Sequence, residues 1–266
     1  MFNRRELVTC QIEMWNEFCN SCILNDSMME EDDLNYDELN LAEAKAIQSE
    51  LRERIIIEPL TKPIQTIAGA DISLNRFSEV IFAGIVVLSY PDLQPIAYSM
   101  VESKTRFPYI PGFLAFREVP ALVQAFDQMP VKPDVIMVDG HGIAHPRKMG
   151  IAAHFGAITG ATTMGCAKNI LFGKWQEPGL QKGDFSPIMT KDEIIGYAFR
   201  SKFKTNPVFV SPGNKMDLQD SLDIMQHCSG SYRLPEPTRR AHDFVNLFRT
   251  GKLEAGYHEL TPQLLF

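Results

Sequence analysis

Three β-rich runs follow one another in this sequence, Thr66–Leu74, Glu79–Ser89 and Ile96–Lys104, joined by links too short to hold a helix. Short links return the chain antiparallel, so the runs predict a three-stranded meander. The pattern then changes. Residues 107–113 read FPYIPGF, too rich in Pro and Gly for a regular element. A helix is expected over Leu114–Gln128, with Pro120 tolerated only near a first turn. Beyond it strands and helices alternate. Val135–Asp139 is a buried-type strand, Gly150–Thr159 a helix and Ala161–Cys166 a strand. Ile194–Arg200 and Val208–Ser211 are further strands, and Leu218–Cys228 and Pro237–Arg249 closing helices. Ahead of the meander, Asn40 and Glu43 form a capping-box pattern for a helix over Leu41–Ile57. That helix would place Leu41, Ala44, Ile47, Leu51 and Ile55 near one face.

A meander followed by alternating helix and strand is the element order of a ribonuclease H-like α/β domain, a mixed sheet with flanking helices. In that order the first and fourth strands lie side by side in parallel. Asp71, in IAGADISL, and Asp139, in DVIMVDGHG, then sit at carboxyl-terminal strand ends, where parallel sheets place their sites. An acid ending an apolar strand needs compensation. A divalent metal supplies it, since Mg²⁺ favours carboxylate oxygens and keeps several waters. Glu118, in AFREVP, is the natural third ligand for a cage that would serve phosphodiester hydrolysis. Taken singly, each acid also reads as a cap or a surface charge.

Composition bounds the rest. A chain of 266 residues with 45% hydrophobic content can bury one sizeable core and carry a short appendage. The net charge of −7 is unevenly spread: residues 1–40 hold ten acids and two bases, the remainder 23 acids and 24 bases. Residues 1–40 are therefore read as an acidic N-terminal extension, with a helix around Glu6–Cys22, and residues 41–266 as the catalytic domain. No apolar run is long enough to span a membrane, and acids interrupt the N-terminus where a secretory signal would be apolar. Five scattered cysteines point to a reducing compartment, and a cytoplasmic monomer is expected. Cys19 and Cys22 form a lone CxxC, a weak redox or metal signal.

The stretch GHGIAHPRKMGIAAHFG carries His141, His145 and His154 among small residues that permit close backbone approach to a ligand. Arg147 and Lys148 can meet phosphates there. Zinc is the rival, but no cysteine stands at zinc-finger spacing. Lys168, after the strand ending in GCAK, can reach a scissile phosphate or be an ordinary solvated lysine. Tyr109 lies between two prolines and is either a rigid wedge for a base stack or a packed core ring.

The segments IAGADIS, FPYIPGFLAFRE, VDGHGIAHPRKMGIAAHFG, GCAK and YRLPEPTRRAH, in this order, resemble endonuclease V from about Leu41 to Arg249. The resemblance implies a ribonuclease H-like nuclease that uses Mg²⁺, for which Mn²⁺ can substitute, and nicks the second phosphodiester bond 3′ to inosine. By position it makes Asp71, Glu118, Asp139 and His242 metal-site residues. Lys168 becomes the contact to the scissile phosphate. Tyr109, with Pro108, Ile110 and Pro111, becomes the strand-separating wedge, and Gly112, Leu114, Gly140 and His145 the pocket for the flipped base. GCAK departs from the commoner GVAK, and Cys166 is expected to be buried and inert. The implied substrate is inosine-containing DNA in repair. An inosine-specific endoribonuclease acting on single-stranded RNA is the first alternative, and a non-cleaving binding module the second.

Overall fold

The computed structural model describes residues 36–75 and 78–260. The helix expected around Glu6–Cys22 and the Cys19–Cys22 pair lie outside them. Among the described residues fourteen elements follow in chain order: α1 (Leu41–Arg52), β1 (Thr66–Leu74), β2 (Val80–Ser89), β3 (Pro95–Lys104), α2 (Leu114–Asp127), β4 (Val135–Val138), α3 (Ile151–Thr159), β5 (Thr163–Ala167), β6 (Phe185–Met189), β7 (Ile194–Phe199), β8 (Val208–Asn214), α4 (Leu218–Cys228), α5 (Glu236–Arg249) and β9 (Gly256–Glu259). The strands form one sheet in the order β6-β7-β8-β5-β4-β1-β2-β3-β9. The meander β1–β3 is antiparallel, and β4 runs parallel to both β1 and β5. The fold is the expected mixed α/β sheet with flanking helices.

The central strands are buried because helices cover them. Ile67, Val86, Leu88, Met137, Met164 and Val210 pack with Leu222 and Met225 of α4 and Ala241 and Val245 of α5. Side chains alternate along a strand, so Ile67, Gly69 and Asp71 share the α5 side of β1 while Ala68 and Ala70 face the other way. Gly69 has a steric reason to lack a side chain. A Cβ there would come within 1.8 Å of the Pro237 carbonyl oxygen and 2.9 Å of the Thr238 nitrogen. The first turn of α5 therefore rests directly on the β1 backbone.

Several expectations need correction. Asp71 does not end its strand: β1 continues to Leu74 because antiparallel pairing with β2 persists through Leu74↔Ile81. What ends beside Asp71 is the parallel pairing with β4, whose last pair is Ala70↔Val138. The first helix stops at Arg52, and its buried positions are Ala44, Gln48 and Leu51, with Leu41 exposed. The Asn40–Glu43 capping box is present as read. Pro120 lies inside α2 rather than in its first turn, and the helix runs on past the missing backbone donor. Two strands went unread, β6 (FSPIM) and β9 (GYHE), so α5 is not the closing element. Both are sheet edges, where a proline such as Pro187 is tolerated and patterning is weak. Tyr36, within the stretch assigned to the extension, is buried edge-on against Phe116 and His154.

Candidate nuclease site

Asp71 is 8% exposed, and its two oxygens are separately engaged. Oδ1 accepts the Ile72 N–H at 2.8 Å, and Oδ2 lies 2.9 Å from Nδ1 of His242 on α5. The seating of α5 on Gly69 brings His242 across β1 to Asp71. One turn further along α5, the Asn246 amide meets His242 Nε2 at 3.1 Å, while the Ser73 hydroxyl donates to Asn246 Oδ1 at 3.2 Å. The imidazole is thus held from both nitrogens, and the chain of contacts returns to β1 two residues beyond Asp71. The bond to Asp71 raises the His242 pKa, with the aspartate charge adding to it against burial.

Asp139 follows β4 directly, and its Oδ2 accepts from Lys168 Nζ at 2.6 Å. Burial raises the Asp139 pKa and the Asp71 charge adds to that, while Lys168 opposes both. Arg233 fixes the backbone at Lys168, donating from Nη2 to the Lys168 carbonyl at 2.6 Å and to the Pro207 carbonyl at 2.9 Å. Glu118 enters from α2. Its carboxyl is pushed up to about 8, first by burial and then by Asp71 and Asp139. Three acids from three elements therefore share one low-dielectric space with too little positive charge between them.

That is the donor chemistry a hard divalent cation satisfies: oxygen ligands, net negative charge and little competing solvent. Among the described residues, no three His, Cys, Asp or Glu side chains converge to cage an ion as they stand. Asp71 and Asp139 each spend an oxygen on His242 and Lys168 instead. By the chemistry of the donor set, three carboxylates and an imidazole, the residues fit such a cation. Cys166 is fully buried, as expected, and burial drives its thiol pKa up.

The wedge candidates lie in the loop before α2. Tyr109 is 71% exposed, which removes the core-packing alternative. Beside the loop is a cavity of about 70 Å³ whose lining includes Gly112, Leu114, Gly140 and His145, the four residues assigned to the base pocket, together with His141, Met149 and Leu171. His145 offers this cavity no free polar atom. Its Nδ1 accepts the Arg147 and Met149 N–H groups at 3.1 and 3.3 Å, so its protonated Nε2 donates to the Gly112 carbonyl at 3.1 Å. Burial and the Arg147 charge push its pKa down to about 4, so the ring is neutral.

Arg147 and Lys148 already have partners within the protein. Arg147 donates to the Gly112 carbonyl at 2.6 Å and to Gln48 Oε1 at 2.5 Å, with its guanidinium over the Phe113 ring. Lys148 pairs with Glu193 at 2.6 Å. Sequence reading also missed Gln48, Asn246 and Arg233. For Gln48 a signal existed: it is a polar residue at helical spacing between Ala44 and Leu51, on the face that α1 buries.

The sequence model of the endonuclease V family matches residues 49–243. An endonuclease V of Trichormus variabilis is 43% identical over 204 residues, covering 76% of this chain and 92% of that protein. The crystal structure of the Streptomyces avermitilis endonuclease V superposes with a TM-score of 0.76 at 35% identity, covering 81% of this chain and 95% of that one. The Ciona intestinalis endonuclease V, crystallised with a 24mer DNA containing an inosine followed by a ribo-adenosine, superposes with a TM-score of 0.71 at 28% identity over 79% and 98% of the two chains. With the acids, the lysine and the Pro-flanked tyrosine on one such fold, the chain belongs to the endonuclease V family and is a nuclease.

Proposed function

We propose that this nuclease cuts inosine-containing DNA at the second phosphodiester bond on the 3′ side of the lesion, using Mg²⁺ or, in its place, Mn²⁺. The observation that carries the reading is the crowding of Asp71, Glu118 and Asp139, the first buried and the other two partly so, in which Glu118 is pushed up to about 8 by desolvation and by the other two acids. These three, with His242, would hold the ion. The bound ion would supply Lewis-acid stabilisation of charge on phosphate oxygens and an activated water. Lys168 stands 2.6 Å from Asp139 and can transfer its charge to the scissile phosphate when a cation replaces it at that carboxylate. Asn246 keeps the His242 ring turned toward Asp71.

Recognition is assigned to the neighbouring loop. Tyr109, stiffened by Pro108 and Pro111 and followed by Ile110, would wedge into the stack and hold the strands apart. The extruded base would enter the cavity bounded by Gly112, Leu114, Gly140 and His145. The exposure of Tyr109 and the position of that cavity beside its loop support this division.

A second reading is an endoribonuclease acting on inosine in single-stranded RNA. The ribo-adenosine after the inosine in the Ciona complex is the observation that favours it. Matched DNA and RNA strands carrying one inosine, incubated with Mg²⁺ or Mn²⁺ and resolved on a denaturing gel, separate the readings. Cleavage one nucleotide beyond the inosine's 3′ neighbouring bond in DNA supports the first. Cleavage confined to RNA replaces it with the second, and no cleavage with either metal removes both.

A further inference from the structure

Gln48 is a fully buried polar side chain on α1, remote in sequence from every catalytic segment. Its amide is completely used. Nε2 donates to the Gly112 carbonyl at 3.2 Å and to the Met149 carbonyl at 3.3 Å, and Oε1 accepts from Arg147 Nε at 2.5 Å. The Gly112 carbonyl thus lies within reach of three donors, from Gln48, His145 and Arg147. Gly112 has φ +82°, a conformation that L side chains rarely adopt and glycine adopts freely, so the turn requires glycine, and the three donors fix where its carbonyl points. Three segments meet at one amide: α1, the loop that displays Tyr109, and the 145–149 turn that walls the cavity.

We propose that Gln48 is a positioning residue for lesion recognition: it locks Gly112 and the 145–149 turn together, and so fixes the wedge and the base cavity relative to each other. This rests on the assignment of that loop and cavity to the inosine. A fully satisfied buried network holds a single geometry, whereas losing one member leaves buried groups unpaired and the segment free to shift. A wedge and a pocket that move independently would extrude a base without receiving it. Affinity for phosphates elsewhere would be untouched, because it comes from surface charge. Gln48 touches neither the metal-site acids nor Lys168, so its loss should act on base recognition and leave the chemical step intact.

The test compares wild type, Gln48→Leu and Gln48→Glu. The leucine removes all three bonds at similar size. The glutamate can still hold Arg147 but cannot donate to either carbonyl, and it keeps the test open if the leucine variant fails to melt cooperatively. Hydrogen exchange of the amides in 107–113, read without DNA, should be at least tenfold faster in either variant. Binding is read in EDTA on duplexes with and without one inosine. The wild-type preference for inosine should fall at least tenfold in the variants, with affinity for the undamaged duplex unchanged. At saturating inosine substrate and Mg²⁺, kcat should stay within about threefold while KM rises. Wild-type exchange rates and an unchanged preference in a folded variant would overturn the proposal, and so would equal losses on both duplexes. A wild-type enzyme with no preference for inosine would instead overturn the substrate reading, and the exchange measurement would still decide whether Gln48 holds the loop.

Discussion

Asp71 and Asp139 stand at equivalent positions on neighbouring parallel strands: Ala70 pairs with Val138, and the Asp139 N–H donates to the Ala70 carbonyl at 3.0 Å. The register thus forces the two carboxylates together at the line where β1 and β4 part. Each has a cationic or ionisable partner from a distant segment, His242 for Asp71 and Lys168 for Asp139.

Asp71→Asn or Asp139→Asn should stop cleavage while leaving binding to inosine-containing DNA nearly intact. A metal contributes several kcal/mol of charge stabilisation to such a reaction, so the single-turnover rate at saturating Mg²⁺ should fall about a thousandfold or more. Near-wild-type turnover in either variant would falsify the assignment of these acids to the metal.

Tyr109→Ala should leave stability unchanged, because the ring is 71% exposed. Base–aromatic stacking is worth about 1–3 kcal/mol, so affinity for the inosine duplex should drop roughly tenfold. Titrations of damaged and undamaged duplexes measure this. An identical pair of curves for wild type and variant would leave Tyr109 without a role in recognition.

Gly69→Ala should destabilise the protein and damage the site together. Its Cβ would have to displace the Pro237 carbonyl, now 1.8 Å from that position, and backbone cannot move aside cheaply. A loss of about 1–3 kcal/mol or more is expected, with catalysis reduced beyond the unfolded fraction because α5 carries His242. Denaturant unfolding alongside specific activity checks both. A stable, fully active alanine variant would mean that α5 can be seated elsewhere without loss.

Stability should fall on mild acidification. His141 and His145 are pushed down to about 4 and His154 to about 3, in each case chiefly by burial. Unfolded histidine titrates near 6.5, so below that pH the unfolded chain binds protons that the folded protein refuses. The contribution of these neutral rings is complete above about pH 6.5 and is lost as pH falls toward 4 and 3. Each adds a slope of up to about 1.4 kcal/mol per pH unit within its window. His154→Gln, which keeps a polar partner for the Tyr36 hydroxyl now 3.2 Å from Nε2, should flatten part of the slope in urea melts between pH 7 and 4. Parallel curves for wild type and variant would show that His154 titrates normally in the fold.

Much of the fold was legible because its signals are local. Short links dictated an antiparallel meander, apolar runs marked β4 and β5, and Asn40 and Glu43 wrote the start of α1. The acids Asp71 and Asp139 could be singled out because a carboxylate in an apolar strand is costly wherever the strand ends up. The edge strands β6 and β9 left no such mark, since an edge strand is half-solvated and its pattern accordingly weak. Other facts belong only to the tertiary structure, because they are contacts between segments far apart in sequence. Element order put Asp71 and Asp139 on neighbouring strands, but only the register, Ala70 against Val138, set them level with each other. The absence of a side chain at Gly69 let α5 lie on β1, which brought His242 to Asp71. Arg147 and Lys148 looked like phosphate ligands as a basic pair, yet one is drawn to Gly112 and Gln48 and the other to Glu193. A side chain's charge is fixed by its chemistry, but its partner is fixed by whichever buried group would otherwise go unpaired, and that is decided only once the chain has folded.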